Sequence, residues 1–578
     1  MKWIITDSAA PEGAAEKLAE ELKLPAYIIS ALINREITTA EKAREMLEIA
    51  DAPLNSPFLF EEMNRAADRI LKAVLKKEKI VIYGDYDVDG VTSIAILYLF
   101  FRDYLNADNI HFYIPGRHDE GYGMNRDAAE KIINEGAKLI ITVDCGITSK
   151  DDVAFCRDSG VDVIVTDHHM PGEKTIPDKA AAIINPKYSE RYPEKELSGA
   201  GVAYKLVCAL AEKKGIDIRD EFVDFAALGT IADVVPLTAE NRTISARGMK
   251  KMEFASNRGL RALKEAAGMK EGKPVNAYHL GFVLGPRINA AGRLEHAKKA
   301  VELFIGEDEE LIKNAAQDLN RINEERKSAA KLAEEQAMEK IADVFDPEKD
   351  FVIVLFDRSW NSGIVGLTAS KVLNRFDRPV FVLTMGEDGL VHGSARSVPA
   401  VNIYECLKAC EGVLEKYGGH KLAAGVCLKE ENIDRFREMI NEYVKKRYLT
   451  EDFEKKIYID AEINEIIDIK DVRIFEKLQP WGEGNPRPLF CLRSVMIMDV
   501  KHFRNNTIKF YAKHGRRYYN FIMFGCKEEH KTAVRKGRGA DVVFYPGINE
   551  WQGSENLILE VADMEFGEES AGLAREKK

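Results

Sequence analysis

The sequence has few of the features that mark secreted, membrane-bound or nucleotide-binding proteins. Its 578 residues include eight scattered cysteines and no Cys-x-x-Cys pair, so we expect reduced thiols rather than a disulfide framework. No apolar run approaches the ~20 residues that a membrane helix needs, and the first residues show no signal-like hydrophobic segment. Neither a dinucleotide nor a P-loop fingerprint follows a predicted strand. The sequence therefore predicts a cytoplasmic protein with no membrane segment and no nucleotide cofactor.

Basic residues are also fewer than acidic ones. The chain has 83 lysines and arginines against 95 aspartates and glutamates, which gives a formal net charge of -12. A field of that sign repels phosphates on average, so binding to a nucleic acid would have to rely on local basic surfaces and on metal ions. The length exceeds what one hydrophobic core supports and predicts about three or four domains.

The most informative stretch is an acidic motif at the end of a predicted strand. Ile80–Tyr83 is an apolar run typical of a buried strand, and Asp85, Asp87 and Asp89 follow it at alternate positions. In an extended backbone, side chains two residues apart point in the same direction, so the three carboxylates would converge. Such a group is unfavourable unless a cation binds between its members. The alternative is a polar turn, in which aspartate and glycine are common.

Similar motifs recur at the ends of later apolar runs. They are Leu139–Val143 before Asp144, and Val161–Thr166 before Asp167, His168 and His169. The carboxyl ends of parallel strands line one crevice, so we expect these groups to meet there. Carboxylates with a minority of imidazole suit Mn²⁺ or Mg²⁺ better than structural zinc. We expect two such ions about 3.5–4 Å apart, with Asp144 contacting both.

These motifs resemble those of a known family. Asp-Tyr-Asp-Val-Asp-Gly, Val-Asp-Cys-Gly, Asp-His-His and Gly-Thr-Ile-Ala-Asp-Val-Val-Pro-Leu are similar to the four motifs of the DHH phosphoesterases. Their order and spacing most resemble the RecJ group of bacterial exonucleases, over nearly the whole chain. The resemblance implies that His169 contacts the scissile phosphate and that Asp144 takes part in catalysis. It implies a metal-ligand set of Asp85, Asp87, Asp89, Asp144, His168 and Asp233.

The predicted fold class is α/β. Strands expected near 80–84, 110–114, 139–143 and 162–166 alternate with helices, as in a doubly wound sheet. This alternation and the family resemblance together predict three domains. A DHH-type parallel-sheet domain is joined by a long helix to a DHH-associated α/β domain, and an OB-like β-barrel follows at the C-terminal end. The expected boundaries are 1–50 for an N-terminal helical segment, 51–305 for the DHH catalytic domain, 306–348 for the connecting helix, 349–448 for the DHH-associated substrate-binding domain, 449–566 for the OB-like nucleic-acid-binding domain and 567–578 for a polar tail.

Two arginine-containing segments are candidates for phosphate binding. Arg117 lies on a glycine-flanked loop after the second strand, where it could reach a phosphate or simply be solvated. The resemblance implies that it helps to hold the 5′ end of a strand. Arg287 and Arg293 lie in a glycine-rich, otherwise apolar segment, so each should have an anionic partner. A structural carboxylate could be that partner, but the resemblance favours a phosphate contact for Arg287.

The predicted second domain supplies three further candidates. The Gly-Gly-His sequence that ends at His420 could place a histidine donor against a ligand, although a turn is the more common explanation of this sequence taken alone. Resemblance to DHH-associated domains implies that His420, Ser394 and Arg396 face the metal site across a cleft and position the strand. The family often has histidine where Asn361 stands, so Asn361 is assigned no role.

Residues 501–520 combine basic and aromatic side chains and contain no acidic residue. An OB-type single-strand binder needs cations that follow a phosphate backbone and aromatic rings that stack on bases. The candidate residues are Arg504, Lys509, Tyr511, Arg516, Arg517 and Tyr518. The alternative is that the alternating aromatic residues belong to the barrel core, which we expect for about half of them.

The resulting hypothesis is a metal-dependent exonuclease. The site predicts phosphodiester hydrolysis, and the resemblance implies single-stranded DNA as substrate, 5′-to-3′ polarity, 5′-mononucleotide products and a place in DNA recombination and repair. It also suggests a monomer, with a single-strand-binding protein and a helicase as partners. One alternative is an enzyme of the same superfamily that acts on short oligoribonucleotides or cyclic dinucleotides. Such relatives generally lack the β domain. The other is a catalytically dead scaffold, which degraded motifs would favour.

Overall fold

The computed structural model describes residues 1–6, 13–49, 52–116, 123–294, 297–551 and 554–567. The chain begins with a short strand and three helices: β1 (Lys2–Ile5), α1 (Ala14–Leu22), α2 (Ala26–Ile33) and α3 (Ala40–Leu47). The prediction of a purely helical N-terminal segment is therefore wrong for residues 2–5, because this apolar run pairs in parallel with residues 456–459 far along the chain. Both Arg117 and the polar tail after residue 567 lie outside the described residues.

The first large domain is built on a parallel sheet. Its elements are α4 (Met63–Leu75), β2 (Ile80–Gly84), α5 (Val88–Asp103), β3 (Ile110–Tyr113), α6 (Arg126–Asn134), β4 (Leu139–Val143), α7 (Lys150–Asp158), β5 (Asp162–Thr166) and β6 (Ala182–Ile184). The strand order is β3-β2-β4-β5-β6. The chain turns back across β2 between β3 and β4, so a crevice opens at the carboxyl ends of β2 and β4. This confirms the predicted doubly wound sheet.

Both faces of this sheet are covered, which explains why its strands are continuous apolar runs. Ile80 and Ile82 belong to one hydrophobic core, whereas Val81 and Tyr83 belong to another on the opposite face. Strands of parallel sheets that are buried on both sides have this composition, because alternate side chains enter different cores.

A helical layer completes the domain and leads to the connector. It comprises α8 (Gly199–Lys214), α9 (Val223–Ala232), α10 (Ala239–Met252), α11 (Arg258–Ala266), a π-helical turn (His279–Leu284), α12 (Gly285–Leu294), α13 (Lys298–Ile305) and α14 (Glu309–Val344). The 36 residues of α14 span about 54 Å. Ile312 packs in the core of the first domain and Ile341 in that of the second, so α14 is the expected connector. Within the described ranges, no helix is long and apolar enough to cross a bilayer.

The second α/β domain has a mixed five-stranded sheet. Its elements are β7 (Ile353–Phe356), α15 (Val365–Phe376), β8 (Val380–Met385), β9 (Val391–Arg396), α16 (Ile403–Lys408), β10 (Lys416–Gly419), β11 (Ala423–Leu428) and α17 (Ile433–Lys445). The strand order is β10-β11-β9-β8-β7, with β7 and β8 parallel and the other pairs antiparallel.

The C-terminal domain is a small closed barrel. It contains β12 (Lys456–Ile459), β13 (Ala461–Glu462), α18 (Ile469–Lys477), β14 (Phe490–Phe503), β15 (Thr507–His514), β16 (Arg517–Met523), α19 (Glu528–Ala533), β17 (Gly539–Trp551) and β18 (Ser554–Phe566). Pairing of β14 with β17 closes the order β14-β15-β16-β18-β17, as in an OB fold. Tyr27 and Leu32 of α2 share the core of this barrel with Phe475 and Phe490, so the two ends of the chain pack together.

Candidate metal centre

The acidic motif after β2 forms a strand-to-helix turn. Asp87 is the N-cap of α5, and its Oδ1 accepts hydrogen bonds from the backbone N–H groups of Asp89 (2.9 Å) and Gly90 (3.1 Å). Asp89 therefore lies in the first turn of α5. The expectation of an extended backbone through all three aspartates is wrong, because capping of the helix bends the chain at Asp87. The carboxylates nevertheless converge at the carboxyl end of the sheet.

Asp144 takes an unusual backbone conformation at the end of β4. Its φ of 60° is in the left-handed region, which non-glycine residues adopt rarely and often at functional sites. Its buried carboxylate lies 3.2 Å from Nε2 of His168, which follows β5. The sharp turn directs the Asp144 side chain into the crevice between neighbouring strands.

Three overlapping groups of side chains could each hold an ion. They are Asp85, Asp87 and Asp144; Asp89, His168 and Asp233; and Asp144, His168 and His169, with the ligand atoms of each group within 4.8 Å of one another. His168 Nε2 lies 3.5 Å from Asp233 Oδ2 and 3.9 Å from Asp89 Oδ2. The structure thus brings all six predicted ligands to one place, and Asp144 belongs to two of the groups.

The electrostatics of this cluster favour a bound cation. Burial raises the pKa of Asp89 to about 7, with a further contribution from Asp87. Burial and the charge of Asp89 raise the pKa of Asp233 to about 9. Burial, followed by neighbouring His169, lowers the pKa of His168 to about 3. Each shift disfavours the charged form of its group, and divalent cations would reverse this for the carboxylates.

Two further observations show that these residues suit divalent cations. Neither ring nitrogen of buried His168 is in hydrogen-bonding geometry with the described residues, although carboxylate oxygens surround Nε2. A Cβ on Gly199 would lie 2.7 Å from Asp144 Oδ1 and 2.8 Å from Asp89 Oδ2, and one on Gly229 would lie 2.4 Å from Asp89 Oδ1. Glycines thus form a close cradle behind the carboxylates, and the oxygen-rich donor set suits Mn²⁺ or Mg²⁺.

The start of α8 holds Asp89 in place. The backbone N–H groups of Gly199 and Ala200 donate to its two carboxylate oxygens at 2.7 and 2.8 Å. The side chain of Ser198 caps the same helix by accepting from the N–H of Gly201 at 3.0 Å. The small residues that open α8 therefore let the N-terminus of a helix approach a buried carboxylate, which its dipole stabilises.

Asp167 and Asn185 are site residues to which sequence reasoning gave no role. Asp167 accepts from the ring Nδ1 of His169 at 2.8 Å and from the N–H of Ile147 at 2.9 Å. Burial raises the pKa of Asp167, but the hydrogen bond and the charge of His169 outweigh this effect, so the pKa lies below its ordinary value. Buried Asn185 donates to the carbonyl oxygen of His169 at 3.0 Å. Asn185 directly follows β6, a three-residue strand too short to be predicted, so only its position after an apolar run could have indicated it.

Arg287 is buried on α12 but has no carboxylate partner among the described residues. Its guanidinium donates to Asn320 Oδ1 at 3.0 Å and to the carbonyl oxygen of Val283 at 2.5 Å. The alternative of a structural carboxylate is therefore not met among the described residues, and a phosphate contact for Arg287 stays a prediction. Burial lowers the pKa of Arg287, and Glu324 partly opposes this effect through space.

Ser394 and Arg396 form a second polar site in the second domain. Arg396 Nη1 donates to Ser394 Oγ at 3.0 Å. A Cβ on Gly366, in the first turn of α15, would lie 3.0 Å from Ser394 Oγ and 3.2 Å from Arg396 Nη2. The pair therefore lies against the N-terminus of a helix, which attracts anions. Exposed His420 is in the β10–β11 turn, and its N–H donates to Ala423, which pairs with Arg396 across the sheet.

Helix α12 connects the two sites. A Cβ on Gly292 would lie 2.7 Å from the carbonyl oxygen of Tyr86, inside the acidic motif. Arg293 Nη1 donates to the carbonyl oxygen of Gly363 at 3.2 Å, just before α15. Asn361 accepts from the N–H of Gly363 at 2.7 Å, so it shapes the turn that Arg293 contacts. One helix thus contacts both the acidic motif and the loop that precedes the Ser394–Arg396 site.

The basic face of the barrel is exposed as a unit. All six predicted residues are exposed on β14, β15, β16 or their turns: Arg504, Lys509, Tyr511, Arg516, Arg517 and Tyr518. The rings of Tyr511 and Tyr518 stack with centroids 5.5 Å apart. Phe510 and Tyr519 instead enter the core, because side chains alternate along each strand.

Comparisons with known proteins agree with this architecture. The model of the DHH family, N-terminal domain, matches residues 79–230, that of the DHHA1 domain matches residues 349–446, and that of the RecJ OB domain matches residues 459–563. A Thermus thermophilus crystal structure of RecJ in complex with Mn²⁺ is similar with a TM-score of 0.82 and 29% identity, covering 98% of this chain and 80% of that one. Another structure of RecJ from this organism contains Mg²⁺.

Sequence relatives extend the same similarity over the whole chain. A Bacillus subtilis protein named single-stranded-DNA-specific exonuclease RecJ is 36% identical over 573 residues, which is 98% of this chain and 71% of that one. A Haemophilus influenzae protein of the same name is 34% identical over 522 residues, covering 86% of this chain and 89% of its own. With its three matching domains and its cluster of candidate metal ligands, this chain belongs to the RecJ family of the DHH phosphoesterases.

Proposed function

We propose that this protein is a metal-dependent exonuclease that hydrolyses single-stranded DNA from its 5′ end and releases 5′-mononucleotides. The observation that carries the proposal is the convergence of Asp85, Asp87, Asp89, Asp144, His168 and Asp233 at one end of the sheet. The names of its RecJ relatives support the substrate. The polarity and the products are extensions of this family membership.

The acidic cluster would hold two Mn²⁺ or Mg²⁺ ions, with Asp144 in contact with both. When bound, such ions activate water and stabilise the charge on the departing oxygen of a phosphodiester. His169 is the protein group proposed to contact the scissile phosphate. Asp167 holds its Nδ1 at 2.8 Å, so Nε2 is the nitrogen that would reach the phosphate. The side chain of Asn185 supports the same histidine by donating to the backbone carbonyl oxygen of His169.

The second domain would position the end of the strand. Ser394 and Arg396, at the N-terminus of α15, offer a hydroxyl, a guanidinium and backbone N–H groups to a phosphate. We assign His420, Arg117 and Arg287 to the same task. The contacts of α12 support this arrangement, because they hold the loop before α15 next to the metal-binding motif.

The exposed face of the barrel would bind the strand farther from its end. Its cations would follow the phosphates, and Tyr511 and Tyr518 would stack on bases. We further propose that the protein acts as a monomer in the cytoplasm, in DNA recombination and repair. A single-strand-binding protein and a helicase are the partners proposed for it.

A time course on end-labelled DNA tests the proposal. With Mn²⁺, we expect 5′-labelled single strands to release labelled mononucleotide at once, double strands to resist, and a chelator to stop the reaction. Asp144→Asn should abolish cleavage, whereas Asp158→Asn, at an exposed aspartate of the same domain, should not. Cleavage that survives Asp144→Asn, or a strong preference for a dinucleotide over a long strand, would contradict the proposal.

A further inference from the structure

Two exposed aromatic side chains lie in the segment that packs against the end of α9, the helix before Asp233. Tyr278 precedes the π-helical turn and Phe282 lies within it, with ring centroids 5.5 Å apart and planes inclined by 21°. Tyr278 is 64% exposed and Phe282 is 72% exposed. A π-helical turn is rare and occurs often at functional sites. Here it keeps a stacked aromatic pair in solvent, where the protein itself gains little from it.

The pair lines a cavity of about 640 Å³ between the first domain and the barrel. The wall of this cavity includes Val234, the residue that follows the metal-site residue Asp233. The π-helical turn packs directly on the end of α9, because a Cβ on Gly281 would lie 3.5 Å from Ile231. The segment with the aromatic pair therefore packs against the helix whose C-cap is Asp233.

At its other end the cavity reaches the barrel. Gly547 and Ile548 of β17 line it, and the next residue, Asn549, lines a second cavity of about 560 Å³ on the barrel. That second cavity also contains Lys509 and Tyr511, which belong to the basic and aromatic face. Consecutive residues of β17 therefore line the two cavities, one of which adjoins the end of α9 and the other the basic and aromatic face.

The charges around the first cavity favour bases over phosphates. Its lining includes Glu476, Glu483 and Arg487, and Arg487 is already bonded to Glu560 at 2.6 Å. Phosphates would find no excess of positive charge there. Apolar and aromatic groups such as Phe475 and Trp481 make up much of the remaining wall. Nucleobases, which are flat and apolar on their faces, suit this lining.

We propose that Tyr278 and Phe282 form a base-stacking site for the single strand on its way from the barrel to the metal centre. The bases enter the cavity while the phosphates stay outside it. This inference rests on the proposed function, since it names a further binding site for the same substrate. Stacking on Tyr278 and Phe282 would supply a part of the affinity for DNA that salt does not weaken.

Binding measured by fluorescence anisotropy tests the proposal. The probe is a labelled oligothymidylate of about 12 nucleotides, with the full chain and with chelator present to prevent cleavage. The double variant Tyr278→Ala, Phe282→Ala should bind about 5- to 30-fold more weakly, with an unchanged slope of log affinity against log salt. Phe282→Trp should retain the parent affinity. Phe254→Ala is the matched control, because Phe254 is 67% exposed in the same domain but does not line the cavity.

A strand with single abasic positions locates the stacked base. In the parent, one or two abasic positions should weaken binding as much as the double variant does, and the double variant should lose nothing more at those positions. The proposal is overturned if the double variant binds as tightly as Phe254→Ala, or if its weaker binding comes with a changed salt slope. Because binding is measured without turnover, failure of the proposed hydrolysis would show separately, as a parent protein that binds DNA but does not cut it with Mn²⁺.

Discussion

Gly199→Ala is the most direct test of the close packing behind the metal centre. The added Cβ would lie 2.7 Å from Asp144 Oδ1 and 2.8 Å from Asp89 Oδ2, about 0.6–0.7 Å short of the 3.4 Å at which ordinary contact begins. Both carboxylates are buried, so either they or α8 would have to move to make room for the added Cβ. A displacement of that size in a catalytic group costs up to about 100-fold in rate.

Stability should change much less than activity in this variant. Overpacking costs about 1–3 kcal/mol, and the better helix propensity of alanine offsets up to about 1 kcal/mol of that. We therefore expect a folded protein with a kcat on single-stranded DNA about 10- to 100-fold lower and a weaker response to Mn²⁺. Steady-state kinetics across a Mn²⁺ titration and thermal unfolding measure both effects.

The matched control is Gly412→Ala, because a Cβ at Gly412 would meet no atom within 4 Å and its φ is ordinary. That variant should keep the parent kcat and the parent Mn²⁺ response. If Gly199→Ala also keeps both, the cradle of glycines does not position the carboxylates and the reasoning is refuted.

The candidate metal centre supports two further predictions, and the exposed face of the barrel supports a third. Mn²⁺ should raise the unfolding midpoint of the parent, because it relieves repulsion between buried carboxylates. At an Mn²⁺ concentration of 100 times its Kd, the added stability should be about 2.7 kcal/mol. An equal rise in Asp89→Asn, measured by calorimetry, would contradict this. Asn185→Ala should lower kcat more than it changes KM and cost about 1–3 kcal/mol in urea unfolding, because the carbonyl oxygen of His169 loses its donor; unchanged kcat would refute it. Replacing Arg516 and Arg517 by alanine should reduce the salt slope of DNA binding by about 0.7 for each phosphate that the variant no longer neutralises, whereas an unchanged slope would exclude both from the phosphate path.

Several elements were predictable because their signals are local. The strands at 80–84, 139–143 and 162–166 have the bounds expected from their apolar runs, and α14 follows from its helical periodicity. Two short strands were missed for a physical reason. β1 and β6 have four and three residues, and each is stable only through pairing with another strand, β1 with β12 and β6 with β5.

The candidate ligands were predictable by residue type, but their local geometry was not. Alternation of Asp85, Asp87 and Asp89 suggested an extended backbone, whereas Asp87 caps a helix that already contains Asp89. The left-handed φ of Asp144 and the support of His169 by Asp167 and Asn185 had no signal at the level of spacing. These features depend on packing between strands that only the folded sheet brings together.

The sequence by itself determined the chemistry: which strands end in carboxylate or imidazole groups, and therefore that a divalent cation is needed among them. Tertiary structure alone decided how the other parts of the molecule are arranged around that chemistry. It packs the N-terminal helices on the C-terminal barrel, places α12 between the metal-binding motif and the loop before α15, and leaves Tyr278 and Phe282 exposed between two domains. The reason is physical, since side-chain types and periods are properties of a segment, whereas contacts between distant segments depend on how several cores pack at once.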